Sequence, residues 1–561
     1  MAVFETLDNA LTGVFGSWNI YSTGLTTALV ALVTYRIATL REPDVHPMLL
    51  ARQSVPSTVR HEGESAIYRA QASPHSMPLN GGLNVKAPDA AKWSRGRDGD
   101  LRDIWRKAVL GGEAGAKGKL LTALGSQKVI EHKHEDVTRQ INLIGQHIAE
   151  QGGIRVAIYL PNSIEFLTTL FACSFAKNLT AVLIPFDVPH ELLVSMLQRA
   201  AVDTVVTVPG FFPLDAVVGA YPALRNLIWV VEDGNSHMDW SEVPEGTGGS
   251  VNVATWQDII NEAPNGASTE LGPSSAETTP QDIVTFSLNN AGQVEQMVRF
   301  SQANLVAGIA GQIAAVPSKD RLGPADLFLS VDSLTNIHTL VLSFVALYSN
   351  ASVALNSVAG RECDLVLATR SVSPTIIVTS PQTLLKAHTD STSKLGSALS
   401  KAAHALSTRT LVQEGILSTS HFLSGFASGS KPVLGNEPGK LRLVYVADRA
   451  GAGDAKLSSS TLSDLRVFLG ARIIYALSAP RVAGAVTQTA FFDYRVDENK
   501  ESHFGAPVTS VEVFFKDTRD LKTTDEQAQG EICVRGPSVS GGEAQLGVKG
   551  RLNEDQTFSY A

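Results

Sequence analysis

The fold is decided by a stretch that begins Arg155-Val156-Ala157-Ile158-Tyr159-Leu160 and continues to Ala181-Val182-Leu183-Ile184-Pro185. A segment with helical periodicity, Ser163–Phe175, separates these two apolar runs. A further predicted helix, Leu192–Ala200, is followed by a third apolar run, Thr204-Val205-Val206-Thr207. Short apolar runs that alternate with amphipathic helices are typical of buried parallel strands joined by helical crossovers. This stretch therefore predicts an α/β fold.

The same alternation returns later in the chain. Strands are predicted at Leu327–Leu329, Ser352–Leu355, Thr375–Val378, Leu441–Val446 and Ile473–Tyr475. After residue 505 the pattern changes to short strands, Val511–Phe515 and Glu531–Val534. The sequence thus predicts two related αβ-layered subdomains with mainly parallel sheets, followed by a small β-rich subdomain.

Composition sets limits on the function. The chain has 561 residues, of which 44 % are hydrophobic, so it can bury a large core. Its net charge of −9 argues against nucleic acid as a partner, because phosphate binding requires a basic surface. Cys173, Cys363 and Cys533 lie far apart, and this spacing indicates neither a disulfide framework nor a zinc site.

The N-terminal segment Trp18–Tyr35 carries no charge, and Arg36 and Arg41 follow it. Its length is near the lower limit for a spanning helix, which needs roughly 17–25 residues. Basic residues after the segment place its C-terminal side in the cytosol. We therefore predict a single-pass membrane anchor at residues 1–41, with the main domain facing the cytosol on the endoplasmic reticulum or another organelle. The alternative is an amphipathic or buried helix, because hydroxyl residues weaken the segment.

Two other segments have little periodicity. Residues 42–118 are rich in Pro, Gly, Arg and His and predict an irregular linker. Within this linker Trp93 and Trp105 lie among basic residues, which suit either anionic lipid headgroups or a solvated face: Arg95, Arg97, Arg102, Arg106 and Lys107. Residues 234–281 are polar and rich in Gly and Ser, so they predict an excursion on the surface.

Several motifs follow one another along the chain: Val156–Phe166, Asp282–Leu305, Leu441–Val446, Tyr475–Ala479, Phe504–Pro507, Val511–Val513, Gly530–Pro537 and Gly547–Ala561. In type and order they resemble the motifs of the adenylate-forming (AMP-binding, acyl-CoA synthetase-like) superfamily. The resemblance covers residues 119–561 and implies the large ATP- and carboxylate-binding domain of that superfamily. The small C-terminal domain that follows in the family is expected to be absent. The resemblance places a degenerate nucleotide site at Ser287, Asn289, Asn290, Gly292, Tyr475 and Ser478.

The departures from the family pattern fall on residues that handle ATP. The lysine position of the phosphate loop holds Glu295 or Gln296, and Glu295 would repel triphosphate. Ala479 takes the place of the glutamate that holds Mg²⁺, and alanine cannot ligate a cation that requires oxygen donors. Val548 takes the place of the aspartate that binds ribose. The Gly-Gly-Ala that borders the acyl and adenine pocket reads Asp448-Arg449-Ala450. For the segment Ser287–Gln296, these changes favour a strand–turn–strand that no longer binds a ligand. A working phosphate loop is the alternative.

These departures predict a membrane-anchored, catalytically inactive relative that acts as a binding or scaffold protein, with acyl chains as a candidate ligand. The alternative is an active long-chain fatty acid–CoA ligase with altered catalytic residues. No catalytic residue, metal ligand or cofactor is predicted under the first hypothesis, whereas the second requires ATP, AMP and Mg²⁺. Expected partners are a membrane, a fatty acid or acyl-CoA, and a protein of unknown identity. His338, with Phe171 and Leu340 near it, is the candidate lining of an acyl pocket, and a packing role for His338 is the alternative.

Overall fold

A computed structural model gives the fold of the chain. It describes residues 12–13, 16, 18–38, 42–87, 90–91, 93–112, 115–124, 128–231, 251–262, 270–271, 280–289, 292–360, 362–417, 424–496 and 501–561. The chain divides into two compact units, Met1–Asp44 and Val45–Ala561. Each unit is described by itself.

The first unit contains helix α1 (Ile20–Ala38). Its apolar side chains, including Tyr21, Leu25 and Leu29, are largely exposed within the unit. No helix among the described residues is both long enough and apolar enough to cross a membrane. The prediction of a spanning helix at Trp18–Tyr35 is therefore not supported, since hydroxyl side chains and Arg36 lower the mean hydropathy of α1.

Among its described residues, the second unit contains 22 strands. In chain order these are β1 (Ser54–Pro56), β2 (Tyr68–Ala70), β3 (Leu120–Leu124), β4 (Lys128–His132), β5 (Arg155–Tyr159), β6 (Thr180–Leu183), β7 (Thr204–Thr207), β8 (Asn226–Trp229), β9 (Asn252–Thr255), β10 (Ile283–Leu288), β11 (Val294–Phe300), β12 (Leu327–Ser330), β13 (Ser352–Asn356), β14 (Ile376–Thr379), β15 (Leu443–Arg449), β16 (Arg472–Ser478), β17 (Ala485–Gln488), β18 (Ala506–Pro507), β19 (Glu512–Lys516), β20 (Gln529–Arg535), β21 (Glu543–Leu552) and β22 (Phe558–Tyr560).

The helices of this unit connect and cover the strands. They are α2 (Pro47–Leu50), α3 (Leu101–Leu110), α4 (His134–Glu150), α5 (Ile164–Phe175), α6 (His190–Ala200), α7 (Leu214–Ala220), α8 (Trp256–Asn261), α9 (Gln302–Ala315), α10 (Ile337–Tyr348), α11 (Leu365–Thr369), α12 (Pro381–Ser393), α13 (Ala398–Glu414) and α14 (Ser459–Leu469), with a 3₁₀ turn at Ser424–Ser430.

Two of the three sheets are mainly parallel. The first has the order β11-β10-β6-β5-β7-β8-β9, and only the β10–β11 pair is antiparallel. The second has the order β18-β17-β16-β15-β14-β12-β13-β3-β4, with antiparallel pairs at its two ends. One hydrophobic cluster includes residues of both sheets and of α3, α4, α5, α9 and α10. Both sheets therefore share one core, and the predicted α/β fold with parallel sheets is confirmed.

The third sheet is antiparallel and has the order β1-β2-β19-β20-β21-β22. Strands β19 to β22 form the predicted β-rich part after residue 505. Strands β1 and β2 come instead from the segment 42–118, and Tyr68 pairs with Val513. No pattern in the sequence predicts this pairing, because a strand of three residues is too short to show periodicity.

The segment 42–118 also supplies a core helix. The segment was predicted as an irregular linker, but Leu101, Ile104 and Trp105 of α3 are fully buried. The Trp105 indole donates a hydrogen bond to Thr138 Oγ1 at 3.0 Å. The basic residues of this stretch form ion pairs, Arg102 with Asp100 and both Arg97 and Arg106 with Asp103. The arginines of α3 are therefore paired locally, and one face of this helix is buried in the core. A role of the basic stretch in binding anionic lipid stays a prediction.

The predicted surface excursion at 234–281 lies largely outside the described residues. Its described part is ordered as β9 and α8. Trp256 and Ile259 of α8 are buried and join the large core. The sequence analysis did not predict β9 and α8, because the residues on either side of them are polar and rich in Gly and Ser.

The two tryptophans near α3 provide a test of this core. Trp105→Ala should lower the free energy of unfolding by about 3–5 kcal/mol, because it leaves a large cavity in a close-packed region. Trp93, which is 91 % exposed, supplies the matched control, and Trp93→Ala should change stability little. Thermal and urea midpoints of the two variants would be compared. Equal effects of the two substitutions would contradict the position assigned to α3.

Candidate functional site

A cavity of about 300 Å³ opens where parallel strands of both sheets end. Its wall is formed by residues at or just after the carboxyl ends of β6, β10, β12, β13, β15 and β16. In open α/β sheets this edge is the usual place for ligand binding, because loops diverge there and leave a crevice. The side chains of Phe186, Phe286 and Ile337 give the wall an apolar part.

The predicted phosphate loop is a tight hairpin between β10 and β11. Asn289 closes the turn, since its Oδ1 accepts from Gln293 N at 2.9 Å and its N–H donates to Gln293 O at 3.0 Å. Gly292 follows with a φ of 72°, a left-handed conformation that favours glycine. Asn290 lies outside the described residues. The prediction that this loop is a strand–turn–strand is confirmed, and Ser287, Asn289 and Gly292 all line the cavity.

Ser287 carries an unsatisfied hydroxyl. Its Oγ is buried and has no hydrogen-bond partner among the residues that the structure describes. Buried polar atoms are nearly always paired, so such an atom at a cavity wall is a place where a ligand or water can bind. Ser478, also in the wall, is already engaged, because its Oγ donates to the Asp448 carbonyl at 3.2 Å.

Asp332 is the carboxylate in the described cavity wall, and its oxygens are already hydrogen-bonded. Oδ1 accepts from Ser333 N at 2.8 Å, while Oδ2 accepts from Asn336 Nδ2 at 2.8 Å and from Thr339 Oγ1 at 3.0 Å. This carboxylate therefore shapes the loop after β12. Little of its hydrogen-bonding capacity is left for a ligand.

Arg449 enters the cavity from the end of β15. Its Nε and Nη2 donate to the two oxygens of Asp454 at 2.9 and 3.1 Å. Asp454 is buried and also accepts from Gln382 Nε2 at 3.0 Å. This bidentate pair fixes the guanidinium plane. Within the described part of the chain, Nη1 has no hydrogen-bond partner and can donate to a bound molecule.

A buried cluster lies directly behind this wall. The Asp448 carboxylate is 3 % exposed and accepts from the Tyr560 hydroxyl at 2.7 Å and from the Tyr475 hydroxyl at 3.5 Å. Phe504 packs against both tyrosine rings, with centroid distances of 5.0 Å to Tyr475 and 4.9 Å to Tyr560. Lys456 Nζ lies 4.6 Å from the Tyr560 ring centroid. Burial raises the pKa of Asp448 to about 7, although the Tyr560 hydrogen bond opposes this shift.

The predicted site residues therefore separate into two groups. Ser287, Asn289, Gly292 and Ser478 line one cavity. Tyr475 does not line it, because its ring is buried against Phe504 and its hydroxyl points to Asp448. Arg449, which the sequence analysis placed at the border of the pocket, lines this cavity as well, while Asp332 and Phe186 line it without having been predicted as site residues. Their positions just after predicted strands were the available signal, since such positions meet at one sheet edge.

His338 lies in the core of α10. It is 1 % exposed, and its Nε2 has no partner among the described residues. Burial lowers the pKa of His338 to about 4, so the ring is neutral at pH 7. Phe171 and Leu340 are also fully buried, and the Phe171 ring packs on Trp105 and Phe344. These three residues do not line the cavity at the strand ends, and a role for them in an acyl pocket stays a prediction.

The residues present do not fit a Mg²⁺–ATP complex. Ala479 in the cavity wall offers no oxygen donor, and the Asp332 oxygens are occupied. Val548 packs against a hydrophobic cluster. No group of three or more potential metal ligands occurs among the described residues. The cation in the described cavity wall is Arg449, and its charge is balanced by Asp454.

The fold and its cavity define a class of α/β proteins that bind ligands at the carboxyl ends of parallel strands. A family model described as AMP-binding enzyme matches residues 297–542. This match supports the resemblance of the chain to the adenylate-forming superfamily.

Individual relatives are distant. The uncharacterized Saccharomyces cerevisiae protein YHR045W is 23 % identical over 526 residues, covering 88 % of this chain and 86 % of that protein. The anthranilate CoA ligase AuaEII, solved with anthranoyl-AMP, is 16 % identical with a TM-score of 0.57, covering 85 % of this chain and 79 % of its own. The long-chain-fatty-acid–CoA ligase FadD1 from Archaeoglobus fulgidus is 14 % identical with a TM-score of 0.55, covering 86 % and 85 %. At these identities the structural likeness shows the fold alone.

The raised pKa of Asp448 leads to a pH-dependent stability. The folded state binds the Asp448 proton more tightly than the unfolded state, where the pKa is near 4. Ionisation therefore costs stability progressively as the pH rises from about 4 to about 7. Asp448→Asn keeps an acceptor for Tyr560 without charge. The variant should match the wild type near pH 4 and exceed it above pH 7, by a few kcal/mol at most, since one pKa unit is about 1.4 kcal/mol.

Thermal midpoints of the wild type and the variant between pH 4 and pH 8 would measure this difference. Asp390→Asn, on an exposed part of α12, serves as the control and should show no such divergence. A constant difference between Asp448→Asn and the wild type across the whole range would contradict the buried position of this carboxylate.

Proposed function

We propose that the chain is a ligand-binding relative of the adenylate-forming ligases that does not activate carboxylates with ATP. The observation that carries this proposal is the composition of the cavity wall. Arg449 and Ala479 occupy positions where the family has glycine and a metal-binding glutamate, and the Asp332 oxygens already have partners. Adenylation requires metal, phosphate-binding and ribose-binding groups to act together on one charged transition state.

The cavity nevertheless has features of a binding site. Ser287 Oγ and Arg449 Nη1 are hydrogen-bond donors with no partner among the described residues, while Phe186, Phe286 and Ile337 supply apolar surface. A few convergent polar groups within a partly apolar crevice are typical of small-molecule sites. These features support binding of a small molecule with a hydrogen-bond acceptor and an apolar part.

Acyl chains are the ligand class that we propose for this function. Support comes from the fold, which is shared with a long-chain-fatty-acid–CoA ligase. Phe171, His338 and Leu340 are buried and do not line the cavity, so this proposal places the acyl group in the cavity at the strand ends. If the chain acts as a scaffold, it also binds a protein partner, and this partner belongs to the same proposal.

We further propose that the first unit attaches the chain to a membrane. Support comes from α1, whose apolar side chains are exposed within its unit and which carries no charge before Arg36. Exposed apolar surface of this extent on one helix indicates an interaction site. The unit Val45–Ala561 has its own cores, so this attachment can be tested by removing the first unit.

Pyrophosphate exchange tests the loss of adenylation. The purified chain should catalyse no carboxylate-dependent exchange of pyrophosphate into ATP with short, medium or long fatty acids. The loss of one strong electrostatic stabiliser typically costs about 2.7–4 kcal/mol in the activation barrier, and several are lost here. An active acyl-CoA ligase assayed in parallel provides the positive control. Robust exchange that a substitution such as Ser287→Ala abolishes would establish the alternative, an active ligase with altered residues.

Flotation with liposomes tests the membrane attachment. The full chain should float with vesicles that contain anionic lipid, whereas residues 45–561 should stay in the soluble fraction. A matched variant with Leu25, Leu29 and Leu32 changed to Ser should behave as the truncated chain does. Flotation of residues 45–561 equal to that of the full chain would contradict the proposal and locate the contact in the second unit.

A further inference from the structure

A second groove lies between α11 and α12. Its volume is about 470 Å³, and it shares no described lining residue with the cavity at the strand ends. One wall is a stripe of α12 and its C-cap with helical spacing: Thr383, Lys386, Ala387, Asp390, Ser391 and Lys394. The other wall consists of residues 364–367 and Pro432. From Thr383 to Lys394 the stripe is about 16 Å long, which is the length of about five residues of an extended chain.

The short helix α11 exposes two aliphatic side chains at this groove. Asp364 caps the helix, since its Oδ1 accepts from Val366 N at 2.9 Å and from Leu367 N at 3.1 Å. Leu365 of the same turn is buried in the core, whereas Val366 and Leu367 are 40 % and 56 % exposed. Adjacent exposed aliphatic side chains at the rim of a groove indicate an interaction site.

The charges in this part of the chain are mostly positive, although the whole chain has a net charge of −9. Residues 365–431 include six Lys or Arg and two Asp or Glu. At the groove, Lys386 pairs with Asp364 at 3.6 Å. Lys394 is exposed, and no carboxylate pairs with it among the described residues. Lys431, next to the groove, is partly buried, and this burial lowers its pKa. The groove therefore offers positive charge to a partner.

The shape and chemistry of the groove fit a short protein segment with aliphatic and acidic residues. Its aliphatic side chains would remove Val366 and Leu367 from water, and a carboxylate would pair with Lys394. Asp390 lies one helical turn before Lys394 and repels acidic groups, so the acidic residue belongs at the Lys394 end of the groove. Nucleic acid fits less well, because its phosphates would meet the aliphatic rim and this carboxylate.

We propose that the groove between α11 and α12 is the docking site of a protein partner, which inserts a short segment of aliphatic and acidic residues. This inference rests on the proposed function, since it concerns the partner that a scaffold binds. It places the partner on residues that do not line the strand-end cavity. The chain is therefore expected to hold its small-molecule ligand and its protein partner at the same time.

Selection of peptides from a random library, with the full chain as bait, tests this site. The enriched peptides should combine aliphatic and acidic residues, and labelled synthetic copies should bind the full chain saturably in fluorescence polarisation. Lys394→Glu and Leu367→Ser should each weaken this binding by about tenfold or more, because each removes an anchor of the interface. Lys401→Glu and Leu110→Ser make the same changes at exposed positions outside the groove and should leave the binding unchanged.

Thermal midpoints verify that the variants are folded, and little change is expected at these exposed positions. The proposal is overturned if no peptide is enriched, if the enriched peptides are basic, or if the groove and control substitutions have equal effects. Loss of liposome flotation by Lys394→Glu would also overturn it and assign the groove to lipid. Pyrophosphate exchange is measured on the same samples. Exchange by the wild type refutes the proposed loss of adenylation, whereas failed peptide binding without exchange refutes the docking site alone.

Discussion

Hydrogen bonds of the Asn162 carboxamide connect the two parallel sheets at the edge where the cavity opens. Asn162 follows β5 of one sheet, donates to Asp332 O at 2.8 Å and accepts from Leu334 N at 2.8 Å, both just after β12 of the other sheet. A third contact, to Ser330 Oγ at 3.3 Å, completes its hydrogen bonding. The side chain is buried, so any loss of these partners would leave polar atoms unsatisfied at a cost of about 1–3 kcal/mol. This one amide holds the strand ends of both sheets together and thereby places the loop that carries Asp332 at the cavity.

The chemistry of the cavity follows from what these strand ends carry. The geometry of a ligand site is kept, because it is a property of parallel strands and their crossovers. The wall carries an arginine held by Asp454 and an alanine, at positions where the resemblance implies glycine and a metal ligand. Fold and chemistry are thus separable in this chain, since the backbone keeps the crevice while the residues decide what can bind.

The sequence predicts the parallel sheets well, because buried strands such as Val156–Tyr159 and Val444–Val446 are continuous apolar runs with helices between them. Motif order also brings Ser287, Asn289, Gly292 and Ser478 to strand ends, and these four residues line one cavity. Prediction from the sequence fails where the structure depends on contacts between distant residues. The strands β1 and β2 are too short to show a period, and Trp105 is surrounded by arginines that suggest a surface. Tyr475 was expected to face a ligand, but its environment is set by Asp448 and Tyr560, and no local pattern in the sequence links those residues.

The antiparallel sheet has a consequence for biogenesis. Strand β1 pairs with β2, β2 pairs with β19, and Ser65 Oγ accepts from Phe515 N across 450 residues. Until the ribosome has produced residue 516, the β1–β2 pair lacks its neighbour β19, while the parallel sheets encoded between them can already form. Closing a loop of this length is entropically costly and slow, and unpaired strand edges invite association with other chains. We therefore expect the newly made chain to depend on molecular chaperones that shield its first residues until translation is nearly finished.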